Sequence, residues 1–373
     1  MNDETMFATE LTRRAEAVHG VPLTFEDVRG RAIGIRRRRR AGVAAAVAAV
    51  VAAAIVLPMA LTGGTNRSAP DPAPPVPGHV AVLHDGRVTL PDASTVDLGV
   101  DTADVSQLGI LTDGRIVLAT MKPYAVRVYE PDGTLQRQYP VQMNVITMSP
   151  RDDAVAWVAE DFTVRVLESG APEPTRLPGI PMPGEAAGII DVVLDAGHLL
   201  VGDGTTTTGE LTPDGVRELD TAEPFRVADV SPGGELWAVT FVPDADHQYG
   251  CTGLYDPGTR QVVKRSCKVY PLAFAPDGAH LLSGYFENNM AGDVSVLDLD
   301  LRPVARFSPA GRSTAVSRVA WADASHLLAG VSDWKTSEWT LERVGIDGTE
   351  PEVVDGPTHG RNPEFLAEYV LSD

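Results

Sequence analysis

Three histidines each follow an aspartate by three residues: His198 after Asp195, His280 after Asp277 and His326 after Asp323. Imidazole and carboxylate are common ligands of divalent transition metals, so a metal site is the first chemistry to test. Position removes it, because each pair occupies the same place in a different one of a set of similar segments. The three pairs therefore belong to different structural units, and we read them as turn residues. Asp132, Asp214, Asp277 and Asp347 each stand in an x-Asp-Gly turn, where an aspartate bonds its own backbone. Thr205–Thr208 reads as an inner hairpin. The chain contains no G-x-S-x-G elbow, H-E-x-x-H helix, P-loop or EF-hand loop. No catalytic residue, metal or cofactor is assigned, and the chain reads as a non-enzyme.

Cys251 and Cys267 are the only cysteines, which excludes a disulfide scaffold and a cysteine-based zinc finger. They flank a hairpin whose turn is Asp256-Pro257-Gly258-Thr259. Its two strands bring them nearly opposite, so an oxidising compartment favours a disulfide.

The segments that carry these residues form an internal repeat. A turn followed by an apolar strand recurs from Leu111, Ser149, Leu194, Ser231, Ala275 and Trp321. The starts advance by 38, 45, 37, 44 and 46 residues, close to the ~40–45 of a four-stranded propeller blade. A second turn closes the units, as at Glu130-Pro131-Asp132-Gly133 and Thr212-Pro213-Asp214-Gly215. At ~42 residues per blade, residues 79–373 give about seven blades. The segment Pro363–Leu371 is a strand with no turn after it, and it is expected to complete a blade begun at the amino end.

Within such blades, the loops joining second and third strands gather on one face. They read as longest at Pro243–Gly250, Glu287–Gly292 and Asp333–Glu338. The candidate ligand-binding residues are therefore Asp244, Asp246, His247, Tyr249, Glu287, Asn288, Asn289, Trp334 and Lys335. Aromatics beside carboxylates and amides suit a protein, peptide or cell-wall ligand, and their acids would repel nucleic-acid phosphates.

Charge divides the remainder. The chain carries a formal net charge of −20, but residues 1–40 hold nine Arg against six Asp and Glu. Arg36–Arg40 are followed by Ala41–Leu61, 21 residues without a charge. A helix of that length spans roughly 31 Å, the thickness of a bilayer core. Arginines at one end only place the head in the cytoplasm and the body outside. The expected order is a basic cytoplasmic tail with short helices (1–40), a transmembrane helix (41–61), a Pro-rich linker (62–78) and an extracytoplasmic all-β propeller (79–373). A cleaved export signal is the other reading of the apolar run.

The S/A-P-D-G-x-x-L turn-and-strand pattern resembles that of WD-repeat and TolB-like β-propellers over roughly residues 80–371. The tail, arginine cluster, Ala-Val helix and Pro-rich neck resemble membrane-anchored propeller proteins of high-GC bacteria, and Arg outnumbers Lys 27 to 4. The Trp-Asp dipeptide of WD repeats is absent. The resemblance implies a single-pass membrane protein with an external propeller, fold and address more than function; the first functional reading is that this propeller is a non-catalytic binding or protein-interaction module. A second reading is a membrane-spanning regulator whose tail holds a cytoplasmic partner such as a sigma factor. Deleting residues 2–34 separates the two, since only the regulator loses a cytoplasmic effect. Protease added to intact cells should digest the body and leave a small tail fragment on an immunoblot. Digestion only after lysis would refute this topology.

Overall fold

The computed structural model describes residues 80–180, 188–243, 250–284, 291–311, 313–360 and 368–372. The tail, apolar run and linker expected over residues 1–78 lie outside these. Among the described residues, no helix is long and apolar enough to cross a membrane.

Seven four-stranded antiparallel sheets form a β-propeller. Blade 1 holds β1 (Val82–His84), β2 (Arg87–Thr89) and β3 (Thr95–Asp97). Blade 2 follows with β4 (Val105–Ile110), β5 (Ile116–Met121), β6 (Tyr124–Tyr129) and β7 (Leu135–Pro140). Blade 3 is β8 (Thr147–Met148), β9 (Ala154–Val158), β10 (Thr163–Glu168) and β11 (Thr175–Gly179). Blade 4 is β12 (Ile189–Asp195), β13 (His198–Gly202), β14 (Thr207–Thr212) and β15 (Gly215–Glu218). Blade 5 is β16 (Phe225–Val230), β17 (Trp237–Phe241), β18 (Thr252–Asp256) and β19 (Gln261–Ser266). Blade 6 is β20 (Pro271–Phe274), β21 (His280–Gly284), β22 (Val294–Asp298) and β23 (Pro303–Phe307). Blade 7 is β24 (Thr314–Asp323), β25 (His326–Asp333), β26 (Glu338–Gly345) and β27 (Glu352–His359).

The final strand, β28 (Val370–Leu371), returns to blade 1. Leu371 pairs with Val82 and Val370 with Leu83. Ser372 N donates to Ala81 O at 3.0 Å, and Ala81 N donates to Ser372 Oγ at 2.8 Å. Closure thus comes from the carboxyl terminus as the repeat requires, through a strand of two residues, with 361–367 outside the description.

Sequence chemistry explains the repeating turn. Ser231 N donates to Leu236 O and Gly234 N to Ser231 O, both at 2.8 Å, while Ser231 Oγ accepts from Leu236 N at 3.0 Å. Ser149 repeats the arrangement, accepting from Ala154 N and donating to Asp153 Oδ1. The fourth position needs a left-handed backbone, met by Gly234 (φ 82°) and by Asp152 (φ 56°). The Asp of the x-Asp-Gly turns accepts the N–H two residues on, at 2.9 Å for Asp132, 2.8 Å for Asp277 and 3.0 Å for Asp347. Each of these carboxylates is consumed locally.

Between the sheets lie seven buried apolar clusters, one at each blade interface. The closing interface joins Ala320, Leu328, Trp339 and Leu341 of blade 7 to Val80, Tyr369 and Leu371 of blade 1. Blades 2 and 3 are also clamped by charge. The nearly buried Arg115 donates to Asp113 at 2.7 Å, to Ala171 O at 2.9 Å and to Glu168 O at 2.6 Å.

Tyr369 and Trp339 are both fully enclosed (0% and 1% exposed). Tyr369→Ala should therefore cost about 3–5 kcal/mol in denaturant unfolding, whereas Val263→Ala, on an exposed outer strand, should stay within ~0.5 kcal/mol. Equal small losses would show that the closing interface carries no special load.

Candidate ligand-binding face

The topology gives the propeller two unlike faces. Turns joining first to second and third to fourth strands share one end, which we call the turn face. Connections joining second to third strands, and one blade to the next, share the other, the loop face. Hydrogen bonds confirm the grouping on each side. Trp334 N donates to Ser313 O, Glu160 N to Pro140 O and Gly360 N to Ser337 O on the loop face. On the turn face, Thr112 N donates to Asp152 O and Ile346 N to Ser325 O.

All three connections singled out in the sequence join second to third strands on the loop face. Asp244, Asp246, His247 and Tyr249, between β17 and β18, lie outside the described residues, as do Glu287, Asn288 and Asn289 between β21 and β22. Trp334 and Lys335 are described. Trp334 is 44% exposed, and its connection is not a long loop. Only four residues separate β25 from β26, as between β9 and β10 or β13 and β14. The length seen in the sequence belongs to the strands, since β25 and β26 have eight residues each.

A shared device shapes these short connections. Asp333 Oδ1 accepts from Lys335 N at 2.8 Å, and Asp161 Oδ1 accepts from Thr163 N at 3.1 Å. Asp203 Oδ1 accepts from Thr205 N at 2.8 Å, Thr206 N at 2.7 Å and Thr205 Oγ1 at 2.6 Å. The Thr205 hydroxyl and the Thr206 and Thr205 amides hold Asp203 down to a pKa of about 2. The Thr163 hydroxyl and amide lower Asp161, and the Lys335 amide leads in lowering Asp333. In two of the three, the residue after the aspartate is an aromatic turned to solvent: Phe162, 47% exposed, and Trp334.

Exposed apolar side chains gather here. Of the nine large hydrophobics exposed among the described residues, Val145, Phe162, Val242 and Trp334 lie in connections of the loop face, and Tyr124 opens β6 beside that face. The other four, Leu135, Val263, Val304 and Val353, are on the outermost strands β7, β19, β23 and β27, Leu135 at the turn-face end of its strand. None is in a turn of the opposite face. The sequence reading missed Tyr124 and Phe162, although Asp followed by an aromatic between two strands marks Phe162 as it marks Trp334.

The framework beneath is held by buried polar contacts. Asp191, its side chain wholly enclosed, accepts from Thr207 Oγ1 at 2.7 Å and from Arg226 Nε at 3.0 Å. Thr207 Oγ1 in turn accepts from Val227 N at 2.8 Å, tying blade 4 to blade 5. Burial holds Asp191 above the ordinary carboxylate range, against the opposing pull of Thr207 and Arg226. Cys251 and Cys267 are joined by a disulfide across the start of β18 and the end of β19, with Cα atoms 4.1 Å apart. Beside it, the Arg265 guanidinium stacks 4.1 Å above the Phe241 ring and pairs with Glu223 at 2.9 Å.

The three sequence-flagged histidines stay in separate blades. His198 meets Glu210 at 3.4 Å, His280 meets Asp277 at 3.4 Å, and His326 meets Asp323 at 2.9 Å. A different group comes together at the ring closure. Candidate ligand atoms of His84, Asp85 and Glu368 lie within 4.8 Å of one another, and His84 Nδ1 is 3.1 Å from Asp355 Oδ2. His84 and Glu368 are 284 positions apart in the chain, so only closure of the ring reveals them together. Asp85 is 84% exposed at its side chain, and water competes there for any ion.

No protein-family model matches the chain, and no curated protein matches it. The propeller is accordingly shown by strand order and closure alone.

Cys251→Ser with Cys267→Ser should lower stability by about 3 kcal/mol, the entropic value for a loop of the 16-residue separation seen here. Urea unfolding of the oxidised protein and the double variant measures it, and identical midpoints would show that the bond adds nothing.

Proposed function

We propose that the chain is a single-pass membrane protein that holds its propeller outside the cytoplasm as a non-catalytic protein-interaction module, with the loop face as its contact surface. One observation carries the reading: among the described residues, exposed apolar side chains of blades 2, 3, 5 and 7 stand in or beside connections of one face, and none stands in a turn of the opposite face, where Leu135 at the end of β7 comes nearest. Aromatic anchors on a rigid scaffold are what protein interfaces concentrate their binding energy in. The turn aspartates of this face engage backbone amides and hydroxyls, and Asp161 also Arg165 and Arg176, which favours holding a partner over transforming a substrate. The candidate residues of the β17–β18 and β21–β22 connections attach to the same face. The arginine cluster and the uncharged run after it support the membrane anchor.

A photo-crosslinking residue placed at Tyr124, Phe162 or Trp334 in intact cells should give discrete adducts with a protein. The same residue at Asp132, Asp214 or Asp347, on the turn face, should give none. Adducts from the turn face alone, or equally from both faces, would overturn the assignment.

A further inference from the structure

Closure of the ring brings together side chains as well as backbone. His84 ends β1, Asp85 follows it in the β1–β2 turn, and Glu368 stands just before β28. One candidate ligand atom from each lies within 4.8 Å of the other two, with His84 Nε2 3.9 Å from Asp85 Oδ1. Among the described residues, no other three His, Cys, Asp or Glu side chains converge in this way.

The imidazole is already positioned for an ion. Its Nδ1 donates to Asp355 Oδ2 at 3.1 Å, and Asp355 Oδ1 accepts from Gly356 N at 2.8 Å. A carboxylate that holds the proton of one ring nitrogen fixes the tautomer and leaves the other, Nε2, with a lone pair to offer a metal. Tyr369, wholly enclosed, packs its ring 4.5 Å from that of His84 and restrains it. The Tyr369 hydroxyl lies beside Asp355 and Thr358 without a well-formed hydrogen bond to either. That hydroxyl does not touch the ion; it is a spare donor for the carboxylate that supports the histidine.

Charge favours a cation at the same place. The two stretches that meet here, residues 79–104 and 344–373, hold twelve Asp and Glu against Arg87 and Arg361, whereas residues 105–343 hold 32 against 19 Lys and Arg. Arg87 faces Asp97 at 3.8 Å rather than this group.

We propose that His84, Asp85 and Glu368 bind one divalent transition-metal ion of the zinc type, which ties the first hairpin of the propeller to its last strand. Bonds of ~2.1 Å place the ligands of a tetrahedral ion roughly 3.4 Å apart. Rotation of two carboxylate side chains supplies the closure needed. The exposed Asp85 marks the open side, where the ion enters and water fills the remaining position. An imidazole nitrogen with two carboxylates suits zinc-like ions better than Ca²⁺ or Mg²⁺, which take oxygen ligands. His84 and Glu368 are 284 positions apart, so the unfolded chain has no such site, and binding stabilises the closed ring. The site does not depend on the protein contact proposed for the loop face.

The test is calorimetric titration of ZnCl₂ into the full chain, purified without a histidine tag and stripped of metal. One ion should bind with micromolar or tighter affinity, and zinc at about a hundredfold excess over Kd should raise the thermal midpoint by about 4 °C. Asp85→Asn preserves the turn, because asparagine readily takes the left-handed backbone that Asp85 adopts (φ 49°). It should weaken zinc binding at least ~tenfold, and Glu368→Gln should do the same. Asp277→Asn, in the two-membered His280 pair of blade 6, should leave the affinity unchanged. Absence of binding at millimolar zinc would overturn the proposal, as would wild-type affinity in both ligand variants. Calcium binding as tight as that of zinc would also overturn it, by showing an acidic patch in which the histidine has no part.

Discussion

Everything else in this fold depends on a few residues at the carboxyl end adding to the first sheet. A twisted four-stranded sheet has two apolar faces, and one blade alone cannot bury both. Each blade therefore relies on its neighbours, and a linear row would leave two faces open at its ends. Val370, Leu371 and Ser372 remove those ends by pairing with Ala81, Val82 and Leu83. Tyr369 enters the same interface as Trp339. Burial leads in pushing the Tyr369 phenol above its ordinary range, with Thr358 opposing and the nearby Asp355 and Glu368 carboxylates adding to the rise. Seven clusters at seven interfaces then follow from one ring.

Once the ring is closed, its two faces are free to diverge. In the turn face, Asp132, Asp277 and Asp347 accept from the backbone N–H two residues on, so these turns hold themselves. The loop face uses the same aspartate device in its short connections, and after Asp161 and Asp333 an aromatic follows it. The scaffold thereby fixes the backbone of a residue whose side chain it does not cover, and an anchor held this way loses little conformational freedom on binding. Burial and exposure are thereby separated: Tyr369 and Trp339, which close the ring, are enclosed, whereas the exposed Phe162 and Trp334 rest on turns that hold without them.

The legible part of the sequence was the repeat. The spacing of turn motifs, the x-Asp-Gly turns and the unpaired last strand all express local or periodic constraints, and the structure meets them with seven blades. Length was harder to read. The segment Asp333–Glu338 resembled a long loop because polar Ser332, Asp333 and Lys335 interrupt the apolar pattern, yet Ser332 is fully buried inside the extended hairpin of blade 7. The inner strand of blade 3 is only Thr147–Met148, too short for alternation to mark it. The His84–Glu368 group joins residues from the two ends of the propeller, and no spacing along the chain encodes it. Phe162 was readable in principle, since it follows an aspartate as Trp334 does.

The claim that the loop face is covered in its working state can be measured without knowing what covers it. Hydroxyl-radical footprinting, read by mass spectrometry, compares side-chain oxidation in native membranes with that of the purified chain. Tyr124, Phe162 and Trp334 should be protected in membranes, while Val263 and Val304 on the outer strands react equally in both. Full reactivity of the three aromatics in native membranes, or protection confined to the outer strands, would contradict the account.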